Sequence, residues 1–275
     1  MKSSEVKNIL NTLGSRAKQS LGQHFLLDES VAQRMVEFGH IKEEDIIFEI
    51  GPGLGILTKK LTQSPAKKII ACEKDKIIFE FLQKQIKQKN LSIINQDALI
   101  LIPNLKVSSP FKVISNLPYN ISSPVIISLL SVCPILPSKM VLMVQKEVAQ
   151  RLVAKPGDSN RGILTVFAEL FGQISVIENL SPSQFYPSPQ VHSSVLLFDN
   201  IKMPDIDRKI AFRIIKMAFS KKRKKLKNSL FAAIKMPQSE TNKLCKKANI
   251  TSDLRPEDLD KKQWNSLIGS LIDFI

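Results

Sequence analysis

Cysteine and histidine are scarce here and badly placed for metal chemistry. The three cysteines, Cys72, Cys133 and Cys245, lie far apart with no C-x-x-C spacing, and the three histidines, His24, His40 and His192, make no H-x-x-x-H pattern. Both absences argue against a structural zinc site and a disulfide framework, so no metal is expected and a reducing, cytoplasmic interior fits best. Long apolar runs are missing too. No stretch approaches the length that crosses a bilayer, and Met1 to Lys7 has no apolar leader core, so no membrane partner is expected. The third shortage is of acids: Asp and Glu total 25 against 40 Lys and Arg, a formal +15. Such an excess favours a polyanionic partner.

What is present is an alternation of strands and helices. Residues 1–27 read as a polar, basic arm that ends in an apolar segment, Leu21 to Leu26, and Asp28 is placed to cap a helix through about Phe38. Apolar runs at 45–50, 68–73, 91–95, 111–115 and 139–144 read as strands, with helical patterns at 56–61, 74–89 and 121–131 between them. That order predicts an α/β fold with a mainly parallel sheet. After a loop at 155–162 comes a helical run, 163–171. Two further strand candidates, 174–177 and 194–198, bracket a proline-rich stretch and suit an antiparallel edge. Pro204 marks a boundary, giving domains 1–203 and 204–275, the second helical and basic.

Chemistry concentrates at the ends of the strands. Gly51, Gly53 and Gly55 form a turn that lets a ligand approach the backbone, but Ile56 stands where the dinucleotide fingerprint needs Gly or Ala. A nucleoside cofactor without a pyrophosphate fits that turn better. Glu73 and Asp97 end the next two strands, suited to ribose hydroxyls and to an adenine amine. Asn116-Leu117-Pro118-Tyr119 ends the fourth. An exocyclic amine becomes nucleophilic when both its N–H bonds are drawn into acceptors; the Asn116 side-chain oxygen and the Leu117 carbonyl supply two, and Tyr119 offers a stacking face. Phe185, on a proline-braced loop, is placed to close a sandwich over Tyr119. Lys221, Lys222, Arg223 and Lys224 form a basic run, and from 207 to 235 the only acid is Asp207, which favours a phosphate-binding face.

Taken together, Gln23-His24-Phe25-Leu26, Glu49-Ile50-Gly51-Pro52-Gly53, Gln96-Asp97-Ala98, Asn116 to Ser122, Gln145 to Val148, the Phe185-x-Pro187-x-Pro189 loop and Phe219 to Leu230 closely resemble the small-subunit ribosomal RNA adenine dimethyltransferases. The resemblance implies a class I, Rossmann-like methyltransferase domain with a seven-stranded sheet, and a small all-helical C-terminal domain. It implies S-adenosylmethionine as cofactor, held by His24, Leu26, Gly51, Glu73, Asp97 and Asn116. The implied reaction is dimethylation of two adjacent adenosines in the 3′-terminal hairpin of small-subunit rRNA within an assembling 30S subunit, by a monomer. Asn116, Tyr119 and Phe185 would hold the base. The family often carries asparagine where this chain has His24, which points there to a backbone contact. Two other readings stay open: a ribosome-assembly factor in which catalysis is secondary, and a large-subunit rRNA adenine methylase that confers antibiotic resistance.

Overall fold

The computed structural model describes residues 1–107, 111–221 and 223–274. Seven strands form one sheet: β1 (Ile46–Ile50), β2 (Lys68–Glu73), β3 (Leu91–Asn95), β4 (Phe111–Asn116), β5 (Lys139–Gln145), β6 (Gln173–Leu180) and β7 (Ser193–Asp199). Their spatial order is β3-β2-β1-β4-β5-β7-β6. The first five pair in parallel, and β7 runs antiparallel to both β5 and β6. The edge hairpin read from the sequence is therefore present, with a bulge between Val176 and Glu178.

Burial explains the apolar runs. All five residues of β1 are buried, as a central strand covered on both faces requires. Alternate strand residues Ile47, Ile69, Ile114, Val141 and Met143 pack with Val31, Ala32 and Met35 of α2 (Glu29–Phe38) and with Leu57 and Leu61 of α3 (Ile56–Thr62). Asp28 accepts a hydrogen bond from the Ser30 N–H and caps α2, as its position predicts.

The arm differs from expectation. Residues Ser3–Thr12 form a helix, α1, whose Val6 and Leu10 are 0% and 3% exposed. They join Phe25, Leu54, Ile78, Leu82 and Ile86 in a second apolar cluster, where Ile78 and Leu82 belong to α4 (Lys76–Gln85). Val6, Ile9, Leu10 and Leu13 recur at helical spacing, a signal masked by the polar residues around them. Further along, Phe25–Leu26 pairs antiparallel with Phe185–Tyr186, Lys18 reaches the buried Asp75 at 2.8 Å, and the Asn120 amide donates to the Ser20 carbonyl at 2.8 Å.

The described chain divides into two compact units, one of residues 1–129, 133–149 and 173–201, the other of 130–132, 150–172 and 202–275. The C-terminal break falls close to the boundary placed after residue 203, but the second unit also takes in 150–172, which the sequence pattern assigns to the catalytic domain. The reason is a buried cation. Arg161 donates to the Ala154 and Leu259 carbonyls and pairs with Glu169, and Phe167 meets Phe212 edge-on at 5.0 Å. An arginine 4% exposed needs those partners, and they come from both sides of the 203 boundary.

Candidate active site

The strand order reverses between β1 and β4, where open parallel sheets leave a crevice at their carboxyl ends. Backbone pairing of β1 with β4 stops at Phe48 and Val113. Beyond it the Ser115 hydroxyl takes over, donating to the Ile50 carbonyl and accepting the Ile50 N–H at 3.2 Å. Above this point opens a cleft of about 1080 Å³, counting its solvent-open mouth. His24, Leu26, Gly51, Glu73, Asp97, Asn116, Leu117 and Tyr119 all line it, so the structure brings together every expected cofactor residue and three of the four expected catalytic ones.

Two glycines are there because nothing larger fits. Gly51 has φ +67°, and a Cβ on it would sit 2.9 Å from Pro118 Cγ, so the glycine turn packs directly against the Asn116–Tyr119 loop. A Cβ on Gly53, at φ +55°, would come within 3.0 Å of the Phe25 ring from the arm.

Asn116 holds the decisive feature. Its Oδ1 is buried and has no hydrogen-bond partner, while its Nδ2 leans on the His24 carbonyl at 3.5 Å. A buried acceptor left empty normally costs stability, and this one lies in the lining of the cleft, where a ligand donor would fill it. Tyr119 is half-buried; its hydroxyl hydrogen-bonds Ser193 Oγ, and burial raises its pKa. Leu117 is buried and donates its N–H to the Met143 carbonyl at 3.1 Å.

Phe185 requires a correction. Its ring is 2% exposed and packs in the core cluster with Leu26, Val31 and Leu180, and it does not line the cleft. The two-residue ladder with Phe25–Leu26 turns this side chain inward. The ring stacked on Tyr119 is His24, at 5.0 Å between centroids and 25° between planes.

The acids occupy three different states. Glu73 Oε1 receives the Asp75 N–H at 2.8 Å and Oε2 the Gly53 N–H at 3.3 Å, yet burial still lifts its pKa to about 7. Asp97 caps the helix that starts at Ala98 through the Leu99 N–H and pairs with Lys74 at 2.8 Å. The hydrogen bond from Lys74 holds its pKa below the usual carboxylate value. Glu49, which in the sequence is only the residue leading into the glycine motif, proves to line the cleft, 1% exposed with Oε2 unpartnered. Burial pushes its pKa up to about 8, with Glu73 adding repulsion. Sequence alone offers little to find it, because it sits within an apolar strand.

With this geometry in place, similarity to known proteins decides the family. Residues 14–273 match the ribosomal RNA adenine dimethylase family. The chain belongs to that family. Among its relatives, the ribosomal RNA small subunit methyltransferase A of Desulfitobacterium hafniense (strain DSM 10664 / DCB-2) is 37% identical over 263 residues, covering 94% of each chain. That of Clostridium botulinum (strain Kyoto / Type A2) is 33% identical over 98% of this chain and 99% of its own. A crystal structure of a dimethyladenosine transferase from Plasmodium falciparum superposes with TM-score 0.74 at 28% identity, covering 91% of this chain and 98% of that one. A 23S rRNA methyltransferase, ErmE, superposes at 0.67 with 21% identity, covering 90% and 99%; at that identity it shows the fold only. The fold is thus the class I methyltransferase architecture expected.

Within this dimethylase family member, the basic segment lies in the second unit, after the helix Arg208–Ala218. Lys221, Arg223 and Lys224 are exposed, with the Lys224 N–H donating to the Lys221 carbonyl at 3.3 Å, and Lys222 lies outside the described residues. The shortage of acids nearby in sequence is partly made good in space. Asp253 pairs with Lys227 at 2.7 Å and Lys225 at 3.2 Å.

Glu49 gives the site a pH signature. Its folded-state pKa lies above the ordinary value of 4.5, so between those values the folded chain holds a proton that the unfolded chain has lost. Stability therefore falls as pH rises from about 4.5 to about 8, and the penalty is complete above that. Glu49→Gln should remove a cost of a few kcal/mol. Denaturant unfolding of both proteins at pH 5 and pH 8 checks this: the variant's advantage should appear only at pH 8, and equal curves at both would contradict it.

Proposed function

We propose that this chain transfers methyl groups from S-adenosylmethionine to the N6 amines of two adjacent adenosines in the 3′-terminal hairpin of small-subunit rRNA, within an assembling 30S subunit. The observation that carries it is the buried, unpartnered Asn116 Oδ1 at the carboxyl end of β4, in a cleft whose other walls suit a nucleoside. Its supports are the family match and the small-subunit methyltransferases among the relatives.

The cleft fits the cofactor. Glu73 is held by two backbone N–H groups with lone pairs left for a ribose. Asp97, fixed by Lys74, would receive the adenine amine, Gly51 and Gly53 would allow close approach, and the arm residues His24 and Leu26, which also line the cleft, would complete the holding set. When bound, the cofactor supplies a methyl group on a sulfonium.

The chain's own work is orientation. Asn116 Oδ1 accepts one N–H of the adenine amine and the Leu117 carbonyl accepts the other, which turns the nitrogen lone pair outward. Tyr119 carries the base on its face. No general base is required, because the methylated amine is acidic enough to lose its proton to water. The protein contributes preorganised acceptors in place of reorganising solvent.

The second unit, with the helical region 204–275 at its heart, serves as the RNA grip through Lys221, Lys222, Arg223 and Lys224. In this reading the reaction takes place in the cytoplasm, with the chain acting as a monomer. Among the described residues no helix is long and apolar enough to cross a membrane.

Mass spectrometry of small-subunit rRNA from cells with and without the gene tests the reading. N6,N6-dimethyladenosine near the 3′ end should vanish when the gene is removed. An unchanged signal there, or a loss confined to large-subunit rRNA, would sink it.

A further inference from the structure

His24 makes three interactions that no single role explains. Its imidazole stacks on Tyr119 at 5.0 Å. Its Nδ1 lies 2.7 Å from the Pro187 carbonyl; a carbonyl can only accept, so this nitrogen carries the proton. Its own backbone carbonyl takes the Asn116 Nδ2. That last bond, weak at 3.5 Å, decides which end of the Asn116 amide faces inward, and so leaves Oδ1 as the empty acceptor.

Tyr119 is thereby held at its hydroxyl and on one face of its ring. The hydroxyl is tied to the fully buried Ser193, and one ring face is covered by an imidazole anchored to a proline-braced loop. A ring held in this way loses rotamer freedom before the base arrives, which lowers the entropy cost of capturing it. The Asn116 amide and the Tyr119 ring are the two groups that must be aligned with one another, and one residue of the arm touches both.

We propose that His24 is the positioning residue of the base site: its imidazole fixes the Tyr119 ring and its backbone fixes the Asn116 amide. This rests on the adenine-methylation reading for its purpose, and not for its geometry. It goes beyond a cofactor contact at that position, because the side chain is directed to the base-holding tyrosine. Phe185, buried in the core, leaves that place to His24.

The chain has two tyrosines, Tyr119 and Tyr186, so ring-labelled tyrosine NMR gives two sets of signals, assigned with Tyr119→Phe. In His24→Ala the Tyr119 ring signals should move. The methyl-transfer kcat should fall by about 10- to 100-fold, the scale for a misplaced positioning group, and cofactor affinity should change far less. His24→Phe, which keeps a flat ring, should restore most of kcat and the ring shift. Unmoved Tyr119 signals in His24→Ala would overturn the proposal, as would equal losses in the alanine and phenylalanine variants, or a loss wholly in cofactor affinity. If the wild-type protein itself fails to methylate the RNA while the ring signals still respond, the methylation reading falls and the brace on Tyr119 stands.

Discussion

Asn116→Ala should lower methyl transfer to small-subunit RNA by about 100- to 1000-fold, the scale seen when one preorganised polar group is removed from a charge-stabilising site. The Oδ1 atom is buried and without a partner, and the Nδ2 lost with it makes only one long bond, 3.5 Å to the His24 carbonyl, so deleting the amide costs the fold little. Removing an unsatisfied buried acceptor leaves the native state the same or slightly more stable. The two effects therefore separate: calorimetric unfolding should show no loss while the rate collapses. Cofactor binding should persist in part, since Glu73, Asp97 and the glycine turn are untouched. An unchanged rate, or a loss explained entirely by weaker cofactor binding, would remove Asn116 from its assigned role.

The second large effect concerns the grip on RNA. Changing Lys221, Arg223 and Lys224 together to glutamate should weaken RNA binding by about 100-fold or more at moderate salt. The log–log salt slope should become shallower by about one for each phosphate the variant no longer neutralises. These three side chains are exposed, and no acid pairs with them among the described residues. Lys225 and Lys227 already share Asp253, so reversing those two should cost less. Binding titrations at several salt concentrations measure both, and an unaltered slope in the triple variant would refute the assignment. Cofactor affinity is the internal control, because the cleft belongs to the other compact unit.

Much of this site is legible one residue at a time. Glycines that must take positive φ, acids that end strands, and an Asn-Leu-Pro-Tyr stretch are local features, and each of the five parallel strands ends within a residue of where its apolar run stops, whereas β6 runs on to Leu180, beyond the 174–177 read from the pattern. The helix of the arm is hidden because only four apolar residues mark its inner face. The grouping of 150–172 with the C-terminal helices is hidden because it depends on Arg161 finding Leu259, a pairing across nearly a hundred residues. Phe185 leaves its expected place for the same kind of reason. The antiparallel pairing of Leu26 with Phe185 turns that ring into the core, while His24, one residue before the paired segment, lines the cleft and meets Tyr119.

The sequence by itself therefore determined the α/β alternation, the glycine turn, the residues at the strand ends and the family. Those follow from period, propensity and motif, which act over a few residues. Only the tertiary structure decided which acceptor stays empty, which acid is raised to a pKa of about 8, and which ring meets Tyr119. Each of these turns on burial or on contact between segments far apart in the chain: Glu49 carries a raised pKa because β1 is covered on both faces, and His24 meets Tyr119 because the arm folds back over the reversal point of the sheet.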